Sequence, residues 1–372
     1  MEEIEIYNLG DTRTCKAALT TVIKCLVDTI LGGKTIKLKR LLLKPGCLLS
    51  PAVRLATALN KIEILEVQLF HEDLNLLFKA MMQGETSVTS LSSLWGHLYL
   101  SELDPESFFG VFDKLKEFGI ISSENVPTEP SMVATFFEKI ASGTNLKKLR
   151  LRGSFDLSQV NGSLLRRMVT QLEDLDLWWL DVPSIVKIVT AIATTETSNL
   201  RKLKISSDMI SVDKCLLAKM ARKVEDLTLE CAVQDVIWVF EAMAKFGTRN
   251  LRRIRLIGWS TNLDELDPDI LATVVNNLEC FEFSWHSFLT VNQTENILSL
   301  ALKTKSHLRR LHICVRGSTS NLDPLVREAG KIIPDLNVRY SSFPIGMPVT
   351  QSTAAIMAGG PKTSKLYSDR SL

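Results

Sequence analysis

The sequence predicts an α/β fold: a right-handed solenoid, or horseshoe, of about 13 irregular repeats, with a parallel β-sheet on the concave side and helices on the convex side. Three observations carry this expectation. A basic phrase and an acidic phrase each recur about every fifty residues. The two series interleave, so that a strand is due about every 20 to 33 residues. The stretches between them carry helical periodicity.

The basic phrase begins at Leu146 (LKKLRL), Leu200 (LRKLKI), Leu251 (LRRIRL) and Leu308 (LRRLHI), with weaker copies at Leu38 (LKRLLL) and Trp95 (WGHLYL). The acidic phrase begins at Ile62 (IEILEV), Leu172 (LEDLDL), Val224 (VEDLTL) and Leu278 (LECFEF), with degenerate copies at Leu115 (LKEFGI) and Ile333 (IPDLNV). A related run from Glu2 to Ile6 adds a first strand. In each phrase the alternating apolar residues of a short strand point one way. The intervening stretches read as helices. Ile185, Val186, Ile188, Val189 and Ile192 share a helical face, and Pro183 suits that helix's first turn because its missing N–H has no partner there anyway. Asp269 is the expected cap of a helix carrying Ile270, Leu271, Val274 and Val275. A strand–helix unit cannot bury its apolar face alone, but stacked units can. Helices are wider than strands, so the stack must curve with the sheet inside.

This pattern resembles the leucine-rich-repeat family, in its ribonuclease-inhibitor-like class of two alternating long repeats, over residues 2 to 340. The resemblance implies the horseshoe and a protein-binding role, and names no partner. The family places Asn or Cys three residues after the last strand leucine, where the side chain ties adjacent turns together. Those positions here hold Ser154, Leu180, Asp208, Ala232, Trp259, His286 and Arg316. The ladder is largely missing, and an uneven horseshoe is expected. Residues 1–340 form the repeat domain. Residues 341–372 are small, polar and Pro/Gly-rich, which predicts a disordered tail or a loose cap. The polar stretches 84–93 and 122–131 are expected to loop out.

Composition narrows the function. The 372 residues carry a net charge of +2, which favours neither nucleic acid nor an anionic membrane. No apolar run is long enough to span a bilayer, and the acidic start lacks the features of a secretory signal. Seven scattered cysteines without a Cys-x-x-Cys pair suggest a reducing, cytoplasmic setting and no zinc site. Gly33-Lys34-Thr35 ends like a phosphate loop, but Asp28 stands where the first glycine is required. The five histidines show no ligand spacing, and no nucleophile motif occurs. The expectation is a non-enzymatic protein with no cofactor and no metal, monomeric on its own, that binds a protein partner. A substrate-recognition or sensor subunit of a larger assembly is the alternative, although no F-box or nucleotide-binding module is recognisable.

The concave positions of the phrases define the candidate surface. Basic phrases supply Arg40, Lys148, Arg150, Arg152, Lys202, Lys204, Arg253, Arg255, Arg310 and His312. Acidic phrases supply Glu66, Glu117, Asp174, Asp176, Asp226, Glu230, Glu282 and Asp335. With strands about 4.8 Å apart, acid rows lie beside base rows. The stripes either recognise a partner or pair with each other. Their alternation disfavours nucleic acid, since each basic row has an acidic neighbour. Aromatic residues at strand exits suit a binding hot spot, or fill core in place of the ladder. The candidate partner-binding residues are Tyr99, Arg150, Trp178, Trp179, Lys202, Lys204, Arg253, Arg255, Trp285 and His286.

Overall fold

The computed structural model describes residues 3–6, 40–43, 62–67, 71–83, 86–93, 103–121, 130–143, 145–153, 155–257, 263, 265–283, 288–304, 307–316 and 322–341. The expectations for Tyr99, Trp259, Trp285, His286 and residues 342–372 fall outside them.

Among the described residues, one sheet of 14 parallel strands runs the length of the chain. Its members are β1 (Glu3–Ile6), β2 (Arg40–Leu43), β3 (Ile64–Val67), β4 (Ser90–Ser93), β5 (Glu117–Ile121), β6 (Lys148–Arg152) and β7 (Asp174–Trp178). They continue as β8 (Lys202–Ser206), β9 (Asp226–Leu229), β10 (Arg253–Leu256), β11 (Cys280–Phe283), β12 (Leu289–Thr290), β13 (Arg310–Arg316) and β14 (Asp335–Ser341). Strands pair in chain order up to β11. There the long β13 takes β11 along its first half, the short β12 beside Val315 and Arg316, and β14 on its other edge.

The helices described in the connections from β3 onward are α1 (His71–Gln83), α2 (Pro105–Val111), α3 (Pro130–Ala141), α4 (Gly162–Gln171), α5 (Val182–Thr194), α6 (Lys214–Ala221), α7 (Val233–Phe246), α8 (Pro268–Asn276), α9 (Val291–Thr304) and α10 (Asp323–Ala329). Asp104, Asn161, Asp181, Asp213 and Asp267 cap α2, α4, α5, α6 and α8 through their side chains, accepting from N–H groups that a first turn leaves without partners. The cap of α8 is therefore Asp267, with Asp269 inside the first turn. Pro268 explains the shift, because proline at the first helical position moves the cap one residue before it.

The strand leucines and the helix faces close one continuous core. Leu149, Leu175, Leu177, Leu227, Ile254 and Phe281 are all fully buried. Toward the N-terminal half the core turns aromatic. Phe108, Phe112, Phe118 and Phe136 are in mutual contact, with Phe112 and Phe118 centroids 4.9 Å apart.

Two expectations are corrected. The strand expected at Trp95 lies earlier, at Ser90–Ser93, so residues 86–93 are part of the wall rather than a loop. Val88 and Leu91 are buried there, and the phrase is VTSLSS, midway between those at Ile62 and Leu115. Serine at the last apolar position hid it. In the second polar stretch, residues 130 and 131 begin α3, and residues 122–129 lie outside the described set.

The missing asparagine ladder is replaced twice. At strand exits, the next repeat's helix reaches back. Ser184 Oγ donates to Phe155 O at 2.9 Å and accepts from Leu157 N. Asp235 accepts from Met209 N at 2.6 Å and Ile210 N at 2.8 Å. Gln293 Nε2 donates to Leu263 O and Leu266 O at 2.6 and 2.9 Å. At strand entries, the residue just before a phrase donates to a carbonyl near the end of an earlier helix. The rungs are Lys114 to Met81 O, Asn145 to Asp113 O, Gln171 to Ala141 O, Asn199 to Thr170 O, Lys223 to Glu196 O and Asn250 to Arg222 O, all 2.7–3.1 Å. These bonds matter because helix ends leave carbonyls unpaired, and an unmade buried hydrogen bond costs about 1–3 kcal/mol.

Candidate concave interaction site

The strand register brings the charged positions into rows across the sheet. In the first row Lys148, Asp174, Lys202, Asp226 and Arg253 follow one another, and Cys280, Arg310 and Asp335 continue it. In the second row Arg150, Asp176, Lys204, Thr228, Arg255, Glu282 and His312 align. Much of this charge is spent internally. Lys148 meets Asp174 at 3.2 Å, Arg253 meets Asp226 at 3.0 Å, and Arg255 meets Glu282 at 2.8 Å. Arg310 bridges Glu282 at 3.1 Å and Asp335 at 2.6 Å, and His312 also reaches Asp335. A further stripe, overlooked in the sequence, lies one residue before the strands, where Lys147 meets Glu173 and Arg252 meets Glu279. Its signal was the second residue of the four well-kept phrases of each series, basic at Lys147, Arg201, Arg252 and Arg309 and acidic at Glu63, Glu173, Glu225 and Glu279.

Arg150 and Lys202 are exposed. Arg150 stands opposite Asp176, and Lys202 stands between Asp174 and Asp226. Of the candidate cations, Lys204, Arg253 and Arg255 are ion-paired.

The pattern changes at the exits of β6, β7 and β8. Trp178 is half-buried on the concave face, its indole N–H donating to Asp176 Oδ1. Lys204 Nζ lies 3.7 Å from the Trp178 ring centre and 3.3 Å from Glu230. Burial raises the Asp176 carboxyl above its ordinary value, and Lys204 and the Trp178 N–H oppose that rise. Trp179 follows with φ of +55°, a left-handed backbone that a bulky residue adopts only where its surroundings impose it. Here the Trp179 N–H donates to Ser206 O at 2.7 Å, Gly153 N donates to Trp178 O, and Leu180 N donates to Ser207 Oγ. Held this way, Trp179 is 49% exposed and packs edge-on against Trp178. The Arg152 guanidinium lies 4.2 Å from its ring centre and 5.0 Å from that of Trp178. Two indoles and two cations thus form one cluster on the rim. Arg152 was a concave position in the sequence but not a chosen site residue. Its equivalence to Trp178 in the third register position gave the signal.

Among the described residues, no group of three or more His, Cys, Asp or Glu could hold a metal. Burial pushes the Cys231 thiol up to about 12 and the Cys280 thiol up to about 11, so both are protonated at neutral pH. No described helix is long and apolar enough to cross a membrane.

No known family profile matches the chain, and no curated protein sequence matches it. Among solved structures, the chain is similar to the crystal structure of the Rad7 and Elc1 complex in yeast. The identity is 13%, the match covers 91% of this chain and 89% of that one, and the TM-score is 0.41.

Proposed function

We propose that the chain is a non-enzymatic leucine-rich-repeat scaffold that holds a protein partner on its concave rim around Trp178 and Trp179. One observation supports this most: Trp179 is kept half exposed in a left-handed backbone. A left-handed residue costs roughly 1–2 kcal/mol relative to right-handed alternatives, and folding alone gains little from an exposed indole. Hot spots of protein interfaces are enriched in tryptophan, tyrosine and arginine. A preformed solenoid wall also loses little conformational entropy on binding. The partner suited to this rim offers an apolar side chain to Trp179 and carboxylates to Arg152 and Arg150. Tyr99, Lys202, Trp285 and His286 extend the same proposed surface. A monomeric, cytoplasmic protein belongs to the same reading.

The test is co-purification from source cells with wild-type protein, Trp179→Ala and Arg152→Glu, circular dichroism confirming that all three fold. A partner held by wild type and lost from both variants is the expected result. A partner retained equally by both variants would remove the rim from consideration.

A further inference from the structure

On the opposite side of the strands, where helices end, lies a concavity of about 610 Å³ lined by Ala193, Lys219, Arg222, Lys223, Arg249 and Asn250. It has four cations and no carboxylate in its wall. That contrasts with the sheet, where basic rows meet acidic ones. Lys219 and Arg249 are exposed, and neither has an ion pair or side-chain hydrogen bond among the described residues. Arg222 and Lys223 are fixed instead by backbone carbonyls. Arg222 Nε donates to Gly247 O at 3.1 Å, and among the described residues no hydrogen bond or ion pair engages its Nη atoms. Gly247 has φ of +77°, which turns its carbonyl toward Arg222 in a conformation few other residues adopt. Lys223 Nζ donates to Glu196 O at 3.1 Å, and Asn250 Nδ2 donates to Arg222 O at 2.7 Å.

The ends of α6 and α7 attract cations through their unpaired carbonyls, which accounts for Arg222 and Lys223. It does not account for Arg249, which lies beyond α7, or for a cleft wall without a carboxylate. Four cations around one cleft exceed what a single carboxylate neutralises. A phosphate monoester carries up to two charges and three strong acceptor oxygens, and matches several donors at once. We propose that this cleft binds a phosphate group, presented by a free oligophosphate or by a phosphorylated side chain. The site stands apart from the tryptophan rim, so either can fail without the other.

The experiment is calorimetric titration of the full chain with tripolyphosphate and, separately, with a phosphoserine peptide. The variant is Lys219→Ala with Arg249→Ala, and the control is Arg166→Ala with Arg167→Ala on the exposed face of α4. Among the described residues neither cation of the first pair has a partner to lose, so that variant is expected to fold as wild type does. Saturable binding of at least one probe is expected, weakened about tenfold or more for each donor removed and unchanged in the control. Tighter binding of tripolyphosphate identifies a free oligophosphate as the source, and tighter binding of the peptide identifies a modified protein. Absence of binding of both probes at millimolar concentration, or equal weakening in the two variants, would overturn the proposal.

Discussion

Replacing Asp235 with alanine removes an acceptor that the missing asparagine ladder makes necessary. The carboxylate is 5% exposed and takes the N–H groups of Met209 and Ile210, 26 and 25 residues away. Met209 is fully buried, so in Asp235→Ala its N–H has nothing to bond, at a cost of about 1–3 kcal/mol. The Ile210 N–H keeps Asp208 Oδ1 at 3.1 Å and adds little. Asparagine in the same place retains an acceptor oxygen and loses the charge. That charge is itself a burden: burial raises the Asp235 carboxyl above its ordinary value, and Asp208 adds to the rise. The folded state therefore holds the proton to higher pH than the unfolded state does. This residue's contribution is most favourable below the unfolded value of 3.8 and declines as pH rises through the folded one. Chemical denaturation followed by circular dichroism, with hydrogen exchange at the Met209 amide, measures both effects. Alanine should lower stability and expose that amide, whereas asparagine should match or exceed wild type at pH 7 and lose that advantage toward pH 4. Equal stability of the alanine and asparagine variants, with the Met209 amide protected in both, would refute the idea that Asp235 substitutes for the ladder.

Three further outcomes follow from the same structure. Burial acts to raise the Glu282 carboxyl, but Arg255 and Arg310 outweigh it and hold it below its usual value. Its stabilisation is therefore complete above the unfolded value of 4.5 and is lost as pH falls through the folded one. In acid denaturation series Glu282→Gln should flatten that part of the profile, and an unchanged profile would show the network to be energetically silent. Leu177→Ala, at a fully buried strand position, should destabilise the wall by about 2–5 kcal/mol in a urea titration, and a cost under about 1 kcal/mol would contradict a close-packed core there. Cys231 and Cys280 should resist iodoacetamide at pH 8 in the folded chain and react after denaturation, as mass spectrometry would show. Fast labelling of either in the native state would contradict the burial that holds both thiols protonated.

The wall was readable in the sequence because each strand repeats one rule, leucine inward and charge outward, and the rule survives changes of residue. It failed at Ser90–Ser93, where serine replaced the last apolar residue and the tryptophan phrase just downstream offered a better pattern. The tie points between repeats were not readable. Ser184, Asp235 and Gln293 are different residue types at helix starts, and only their bonds across the stack show a shared task. The entry rungs were in plain sight as Asn145, Asn199 and Asn250, each directly before a phrase, but amides at turns have many local uses. Trp178 was expected on the concave side and lies there. The left-handed backbone of Trp179 had no sequence signal, since tryptophan is among the residues least suited to it.

The alternation of acidic and basic phrases has a consequence for where recognition can occur. An exposed ion pair adds only about 0.2–1 kcal/mol, so the rows contribute little to folding. Their larger effect is to cancel charge within a few ångströms. Lys148 and Asp174, or Arg255 and Arg310 with Glu282 and Asp335, present little net field beyond the ionic screening distance of about 8 Å. A partner meeting those rows must break a pair to make one, with small net gain. At the exits of β6 and β7 the register pairs Arg152 with Trp178, and its guanidinium lies over both indoles. Cation–π contacts of this kind add an attraction of about 0.5–1 kcal/mol at exposed sites, and they tie the two indoles to the charged wall. The proposed contact surface therefore rests on the exposed indole of Trp179 beside Trp178, which offers apolar area where the paired rows offer none.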